Sequence, residues 1–539
     1  MTPLRPGRAE VRRDLLALGF GAAVLFFVSL GARDLWQPNE PTYGQAVVEM
    51  SKRGDWIVPT VNGREFAEKP VLYYWMALAA AGALGGVDEF VLRLPAAAAG
   101  VLGVLLTYLL VVPGAGRSRA RLAAVLFGTT YGVYWNSRAV QMDIFVAVST
   151  LAVVLAVVRV ADHGAAPLPG FALAGLAAGL GFLAKGPVAW LGPALVLLPY
   201  LAATRRLGAL RSSYAAVGVA VGLAVSMPWL AVLYIRGETG FLREMLLRQN
   251  VTRFLWAWDH RAPFWYYLEY FWIDMAPWAW FVPLAAALPG RDHEERRLDL
   301  LAWIWVAAIL AFFSLSESKR SPYILPIAPA VAILASGLGD RLVDGALSKA
   351  RRIAALVLLA AAGLVAAACG LAVLLRVVPH YPEVASQGEA LGGLLIAGGT
   401  AILAAFASRA RARAVAPAAF LALVLSLEIL AAVSLFPAAN RFKSARPFCE
   451  QVIARVSPEE PLASYRFWAW RASYAFYTHR AIPNLESAKD LASFLAAGRR
   501  SFVIVEEAEV TEARSVLGGR EPLVRAEIGG TTAYLFSSR

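Results

Sequence analysis

Long apolar stretches separated by short polar ones set the pattern of this chain. The first runs from 15 to 30. Twelve more follow, at 92–112, 121–136, 144–161, 170–184, 187–203, 214–235, 264–288, 299–315, 322–338, 353–377, 391–407 and 415–437. Most approach the roughly 20 residues that a helix needs to cross the hydrocarbon core of a bilayer. The pattern therefore predicts a polytopic α-helical membrane protein with about 13 transmembrane helices. The segment 71–86 is apolar but short, and is expected to lie at the outer interface without crossing.

Beyond Pro437 the pattern changes. Helical periodicity is expected over Pro447–Val456 and Glu486–Ala497. Alternating or short apolar runs predict strands at Pro461–Tyr465, Ser501–Val505, Leu523–Ile528 and Thr531–Phe536, the last two joined as a hairpin at Gly529-Gly530. About 100 residues suffice for a small α/β domain with its own core. The expected organisation is a membrane domain over 1–437, with 33–91 as its first outer loop, and an extracytoplasmic α/β domain over 438–539.

Composition agrees with this division. The chain has 539 residues, 59% of them hydrophobic, and a mean hydropathy of +0.57, which excludes a soluble globular protein. Its formal charge of +13 does not point to nucleic acid, because the Lys/Arg clusters fall between apolar stretches, where they set topology. If 71–86 does not cross, the clusters at Arg8–Arg13, Arg117–Arg121, Arg205–Arg211, Arg291–Arg297, Arg341–Arg352 and Arg409–Arg413 all share one face. That face is expected to be cytoplasmic, with the C-terminal domain outside. The first span, which no clear small-residue cleavage site follows, reads as a retained helix. Two cysteines, Cys369 and Cys449, suggest neither a metal cluster nor a disulfide framework.

The densest polar pattern is WQPNEPTYGQAVVEMSKRGDWIVPTVNGREFAEKPVLYYW, residues 36–75. Asn39 and Glu40 sit between Pro38 and Pro41, which predicts a turn-like geometry. A short helix is expected over Tyr43–Met50, ended by Gly54-Asp55, and the aromatic run Tyr73–Trp75 suits a membrane interface. Further along, Asp143 stands where a span emerges, five residues after Arg138. It is either a helix N-cap or a functional carboxylate. Lys185 separates two apolar runs and is either a snorkelling side chain or a phosphate ligand. The loop 236–263 carries Arg243, Arg248, Arg253, Asp259, His260 and Arg261, and Lys319, Arg320 and Tyr323 follow in SESKRSPYILP.

Taken together, these segments resemble the polyprenyl-phosphate-sugar-dependent glycosyltransferases of the GT-C type, which include the lipid A aminoarabinose transferases and the protein O-mannosyltransferases. The order WxPNEPxYGxAV…GDWIVP…NGxxFxEKPxLYYW matches the first outer loop of that family. The acid opening the span at Asp143, Lys185-Gly186, Glu68-Lys69-Pro70 and HRAPFWYY match it too. Two departures stand out: the family usually has Asp-Glu where this chain has Asn39-Glu40, and Thr42 replaces an Arg found in the aminoarabinose enzymes.

The resemblance implies transfer of a sugar, with inversion, from a polyprenyl-phosphate donor to a lipid A-like lipid or a protein acceptor. The reaction is expected on the outer, periplasmic face of the inner membrane. It implies a catalytic group of Glu40, Asp143 and Asn39, and donor-phosphate binding by Lys69, Lys185, Arg138, Lys319 and Tyr323. With Asn39 in place of the usual acid, either Glu40 serves as base, or the acceptor is already anionic, or the chemistry is altered. Glu68 and His260 could hold a divalent metal such as zinc, manganese or magnesium. No nucleotide cofactor is expected, since no Gly-rich phosphate loop is present. The competing class is a polyprenyl-linked lipid flippase or transporter, against which the chain shows no inverted repeat.

Overall fold

In a computed structural model, residues 7–256, 258–286, 288, 290–407, 411–467 and 472–539 are described. Arg409 of the expected basic cluster and Ala287 of one expected span lie outside them. The chain forms two compact units. One comprises residues up to 28, 68–72 and 95–434; the other comprises 29–67, 73–94 and 435–539. The sequence assigned 33–91 to the membrane domain, whereas most of that loop clusters with the C-terminal residues.

The first unit is helical because backbone polar groups in a bilayer must be satisfied within the segment that carries them. Among the described residues, nine helices are long and apolar enough to cross a membrane. The remaining expected spans take other forms. Arg8–Phe27 is a helix with a charged first half. The 40-residue helix Glu89–Gly128 includes the first half of 121–136 and is interrupted at Gly116 (φ 75°), and Tyr131–Ser137 is a separate short helix. Val188–Ala203 has 16 residues. The expected span 264–288 is broken into Tyr266–Asp274 and two short turns, Trp278–Phe281 and Val282–Ala285. Pro277 and Pro283 account for the breaks, since each removes a backbone donor.

Small residues bring two of these helices close. A Cβ on Gly175 would lie 1.9 Å from the Gly218 carbonyl oxygen, so Pro167–Lys185 packs on Ser213–Ile235 through backbone contact. This fixes the end of the first helix, where Lys185 is the last residue.

In the second unit, the helix near the first apolar span is longer than expected. It runs over Asn39–Arg53 and ends at Gly54 in the left-handed conformation (φ 66°). Asn39 and Glu40 are therefore its first residues and not a turn. A two-stranded hairpin follows, β1 (Thr60–Val61) with β2 (Arg64–Glu65), and then a 13-residue helix, Leu72–Leu84, too short to cross a bilayer. The Glu49 carboxylate ties the hairpin down, accepting from Thr60 Oγ1 (2.6 Å) and Asn62 N (2.6 Å).

The C-terminal sheet has β3 (Leu462–Tyr465), β4 (Asn484–Leu485), β5 (Phe502–Glu506), β6 (Val524–Ile528) and β7 (Thr531–Ser537), in the order β4-β3-β5-β7-β6. β3 is parallel to β4 and β5, and β7 is antiparallel to β5 and β6. The expected hairpin turns at Gly529 and Gly530, both at positive φ. Helices Ala488–Leu495 and Glu507–Leu517 cover a core of Tyr465, Leu491, Val503, Val505, Val510, Ala513, Leu517 and Phe536. The second of these helices and β4 were not anticipated. The first outer loop joins this domain through the backbone N–H of Leu35, which donates to Tyr477 Oη (2.6 Å). Arg446 also pairs with Asp34 (3.0 Å) and with Glu89.

Candidate active site

Four separate stretches of the first unit bring charge to one place. Lys69 and Glu68 lie in the short segment 68–72. Asp143 is the first residue of the helix Asp143–His163, where a carboxylate is favoured by the helix dipole. Lys185 ends its helix, and Gly186 at φ 80° turns the chain into Pro187. Tyr323 lies in the 3₁₀ turn Ser321–Ile327. All five side chains line one cavity of about 740 Å³.

The rest of the wall is mainly apolar, with Val146, Val188, Trp190, Leu191, Phe312 and Phe313 among its residues. The Lys185 ammonium donates to the Asp143 carboxylate and lies 4.6 Å from the centre of the Tyr323 ring, a cation–π contact. Asp143 is only 8% exposed, so this pairing offsets the cost of burying its charge.

Lys69 is half-buried and donates to its neighbour's carbonyl, Glu68 O (3.1 Å). Burial lowers its pKa to about 8 against the opposing pull of Glu68, with Lys185, Arg253 and Arg320 adding repulsion. Burial raises the pKa of Glu68, while Lys69, Arg253 and Arg320 draw it down. The site therefore concentrates positive charge in a low-dielectric wall, which suits an anionic ligand with an apolar body.

Arg253, named in the sequence but not singled out, also lines the cavity. Its guanidinium is aimed by three partners: Asp259 Oδ2 (2.7 Å), Gln249 Oε1 (3.1 Å) and Ser318 Oγ (3.4 Å). Gln249 and Asn250 add amides to the same wall. The signal that could have found Arg253 is an acid six residues on, at Asp259, able to hold the arginine in place.

Two expected phosphate ligands have other work. Arg138 donates to the carbonyls of Leu25 (3.0 Å), Phe26 (2.8 Å) and Val28 (2.7 Å), capping the helix Arg8–Phe27, whose last carbonyls lack helical partners. Lys319 donates to the carbonyls of Ser316 and Ala262. Neither lines the cavity.

Glu40 and Asn39 belong to the second unit. Asn39 is half-buried at the start of its helix. The Glu40 carboxylate is gripped by Arg33 (2.7 and 2.9 Å) and by Arg93 (2.9 and 3.0 Å), and also accepts from Trp36 N (3.2 Å). Burial alone would raise its pKa, but the two guanidiniums outweigh burial and hold it at about 2. A carboxylate so held is a poor proton acceptor.

The expected metal ligands, Glu68 and His260, share Arg253, Arg320 and Asp259 as charged neighbours. Among the described residues, no group of three or more His, Cys, Asp or Glu side chains is placed to hold a metal ion. Glu68 faces Lys69 and Arg253. His260 has positive φ (51°), its carbonyl accepts from Lys319 N (2.9 Å), and its ring is 3.8 Å from Asp259. Burial lowers its pKa, with Arg320 acting in the same direction.

Comparison with known proteins extends the picture. Residues 68–232 match the family model described as dolichyl-phosphate-mannose-protein mannosyltransferase. The chain is 34% identical over 341 residues to the undecaprenyl phosphate-alpha-4-amino-4-deoxy-L-arabinose arabinosyl transferase 1 of Pseudomonas fluorescens (strain Pf0-1), covering 62% of this chain and 59% of that protein. Against the transferase of the same description from Edwardsiella ictaluri (strain 93-146), identity is 34% over 350 residues, covering 63% and 62%. The chain thus spans about three fifths of the length of the curated relatives it matches. The crystal structure of ArnT from Cupriavidus metallidurans bound to undecaprenyl phosphate superposes with a TM-score of 0.78 at 22% identity, covering 99% of each chain. The two share one fold.

Proposed function

We propose that this chain is a GT-C glycosyltransferase that transfers a sugar from a polyprenyl-phosphate donor to a lipid A-like lipid or a protein acceptor. The observation that carries the proposal is the cavity itself. It sets Lys69, Lys185, Arg253 and Tyr323 against an apolar wall beside Asp143 and Glu68. That combination suits a phosphate on a hydrocarbon chain: cations and a phenol for the head, aliphatic and aromatic side chains for the first isoprenoid units. The names of the relatives support it, since they describe transfer from undecaprenyl phosphate-linked 4-amino-4-deoxy-L-arabinose.

In the proposed reaction the donor phosphate draws Lys185 from Asp143 and engages Lys69 and Arg253. The bond between the anomeric carbon and the phosphate oxygen breaks with its electron pair leaving on the phosphate. The cations stabilise that developing charge, the main contribution expected of such a site. The acceptor oxygen attacks the opposite face, giving inversion. The carboxylate of Asp143, released from Lys185, orients the acceptor and takes its proton if it is a hydroxyl. An anionic phosphate acceptor needs no base.

Donor affinity tests the reading. A hydrogen bond to a charged group contributes about 1.5–3 kcal/mol, so Lys69→Ala should weaken donor binding by about tenfold to a hundredfold. Lys69→Gln should not restore it. In the wild type, Lys69 loses its proton as pH rises through about 8. The donor KM should therefore climb above that pH and be lower below it, and Lys69→Ala should remove this limb. An unchanged donor affinity in Lys69→Ala would take Lys69 out of the site. A flippase, by contrast, would move intact lipid without releasing polyprenyl phosphate from a radiolabelled donor.

The multi-pass chain is further proposed to lie in the inner membrane with its active site and C-terminal domain facing the periplasm, on the strength of its basic clusters. In a cysteine-free background, a single cysteine at the exposed position Lys349 should react with impermeant reagent only from the cytoplasm. One at exposed Thr239 should react only from outside. The reverse result would invert the topology.

A further inference from the structure

A second cavity in the first unit, of about 260 Å³, is bounded by Trp278, Phe281, Leu342, Leu359, Phe420 and Leu421 among others, and every side chain in its wall is apolar. Even the Trp278 indole N–H turns away, donating to Thr129 Oγ1 (3.1 Å). At about 30 Å³ per water the space would hold several waters, yet it offers them no partners, and an apolar cavity of this kind stays dry or takes a hydrocarbon. It shares no residue with the active-site cavity.

The cavity reaches the ends of three membrane helices. Leu342 and Val343 are near the end of Ala328–Asp344, Ala355 is near the start of Lys349–Ala372, and Ala414 is near the start of Ala412–Leu430. Basic side chains gather there. Arg351 stands one turn before Ala355 on the same helix face, and its guanidinium donates to the Ala286 carbonyl (3.4 Å). Arg413 lies against Gly345, where an added Cβ would meet its Nη1. Lys349 and Arg411 are exposed nearby. Among the described residues at this end, Asp340 and Asp344 are both paired with Arg291 (2.9 and 2.8 Å), and the basic side chains outnumber these acids.

We infer that this crevice binds one anionic phospholipid, with an acyl chain among Trp278, Leu359 and Phe420 and its phosphate at Arg351 and Arg413. The charge complementarity selects an anionic head over a zwitterionic one, and the dry wall selects a hydrocarbon chain. The inference rests only on the chain being a membrane protein and is independent of the proposed transfer.

The test is native mass spectrometry of the purified full-length protein in detergent, titrated with dioleoyl phosphatidylglycerol or dioleoyl phosphatidylcholine. Wild type should retain one phosphatidylglycerol adduct and bind phosphatidylcholine more weakly. Arg351→Gln and Arg413→Gln should each weaken phosphatidylglycerol binding by about fivefold, the share expected of one basic side chain near a lipid surface. Ala355→Phe and Ala418→Phe fill the crevice and should abolish the adduct. Ala418 is exposed, so its variant keeps the test open if the buried Ala355 site fails to fold. Lys69→Ala should keep the adduct.

Equal retention of both lipids by wild type, or an adduct that survives both filling variants, would overturn the inference. So would an adduct lost in Lys69→Ala, which would assign it to the active-site cavity. A dimer lost in Ala418→Phe would assign the crevice to a second copy of the chain and overturn it as well.

Discussion

Asp143→Asn is expected to lower turnover by about 10²–10⁴-fold, the usual contribution of a general base, while donor binding holds or tightens. The reason lies in the pair with Lys185. In the free protein the ammonium is engaged by the Asp143 carboxylate and the Tyr323 ring. A donor phosphate must compete for that ammonium, and removing the carboxylate removes the competitor. Asparagine keeps the shape and can still donate to or accept from an acceptor hydroxyl, but it cannot take a proton at neutral pH. Loss of kcat with unchanged or lower donor KM is therefore the signature of a carboxylate that acts on the acceptor. If Asp143 served only to neutralise Lys185, the substitution would leave kcat intact. A phosphate acceptor gives a third pattern, a small change in kcat, because no base is then required. Comparing a hydroxyl and a phosphate acceptor in the same variant separates these cases.

Two parts of this site were legible as charges set within apolar surroundings. Asp143 and Lys185 stand out because a membrane chain does not carry such groups without a partner or a ligand, whereas Lys69 lies in a polar loop and was marked only by the resemblance of Glu68-Lys69-Pro70. Arg253 did not stand out, since it is one of several charges in a polar loop. What selects it is the fold, which brings Ser318 to it from a distant loop and uses Asp259 to aim it. Arg138 shows the converse. Its position near Asp143 suggested the site, but its partners are backbone carbonyls about 110 residues earlier, and backbone carbonyls leave no mark on a sequence. The same limit appears in the fold. Hydropathy located the helices but merged the pieces of 264–288 into one, although Pro277 and Pro283 were in plain view. The strands of the C-terminal sheet were readable from short apolar runs. The helix Glu507–Leu517 was not, because its core-facing Val510, Ala513 and Leu517 are diluted by Glu and Arg.

Glu40→Gln is expected to destabilise the second unit strongly and to leave the chemistry of the folded fraction unchanged. Arg93 is completely buried and Arg33 nearly so, and their guanidiniums converge on this carboxylate. Deleting one partner of a buried ionic group leaves the others uncompensated, at a cost of about 3–5 kcal/mol. Arg93 is further held by the carbonyls of Leu30 (3.0 Å) and Asp34 (2.9 Å), so it cannot turn away to find water. The buried thiol of Cys449 lies in the same unit and reports its opening. In a Cys369→Ser background, Glu40→Gln should speed modification of Cys449 and lower the thermal midpoint. The pH dependence follows with a definite sign. The Glu40 pKa is lowered in the folded chain from an ordinary 4.5 to about 2, so its contribution is complete above about 4.5 and is lost as pH falls toward 2. Wild type should lose stability across that window, and Glu40→Gln should lack that part of the slope. A variant with normal Cys449 protection but lost turnover would return Glu40 to the reaction and remove it from the scaffold.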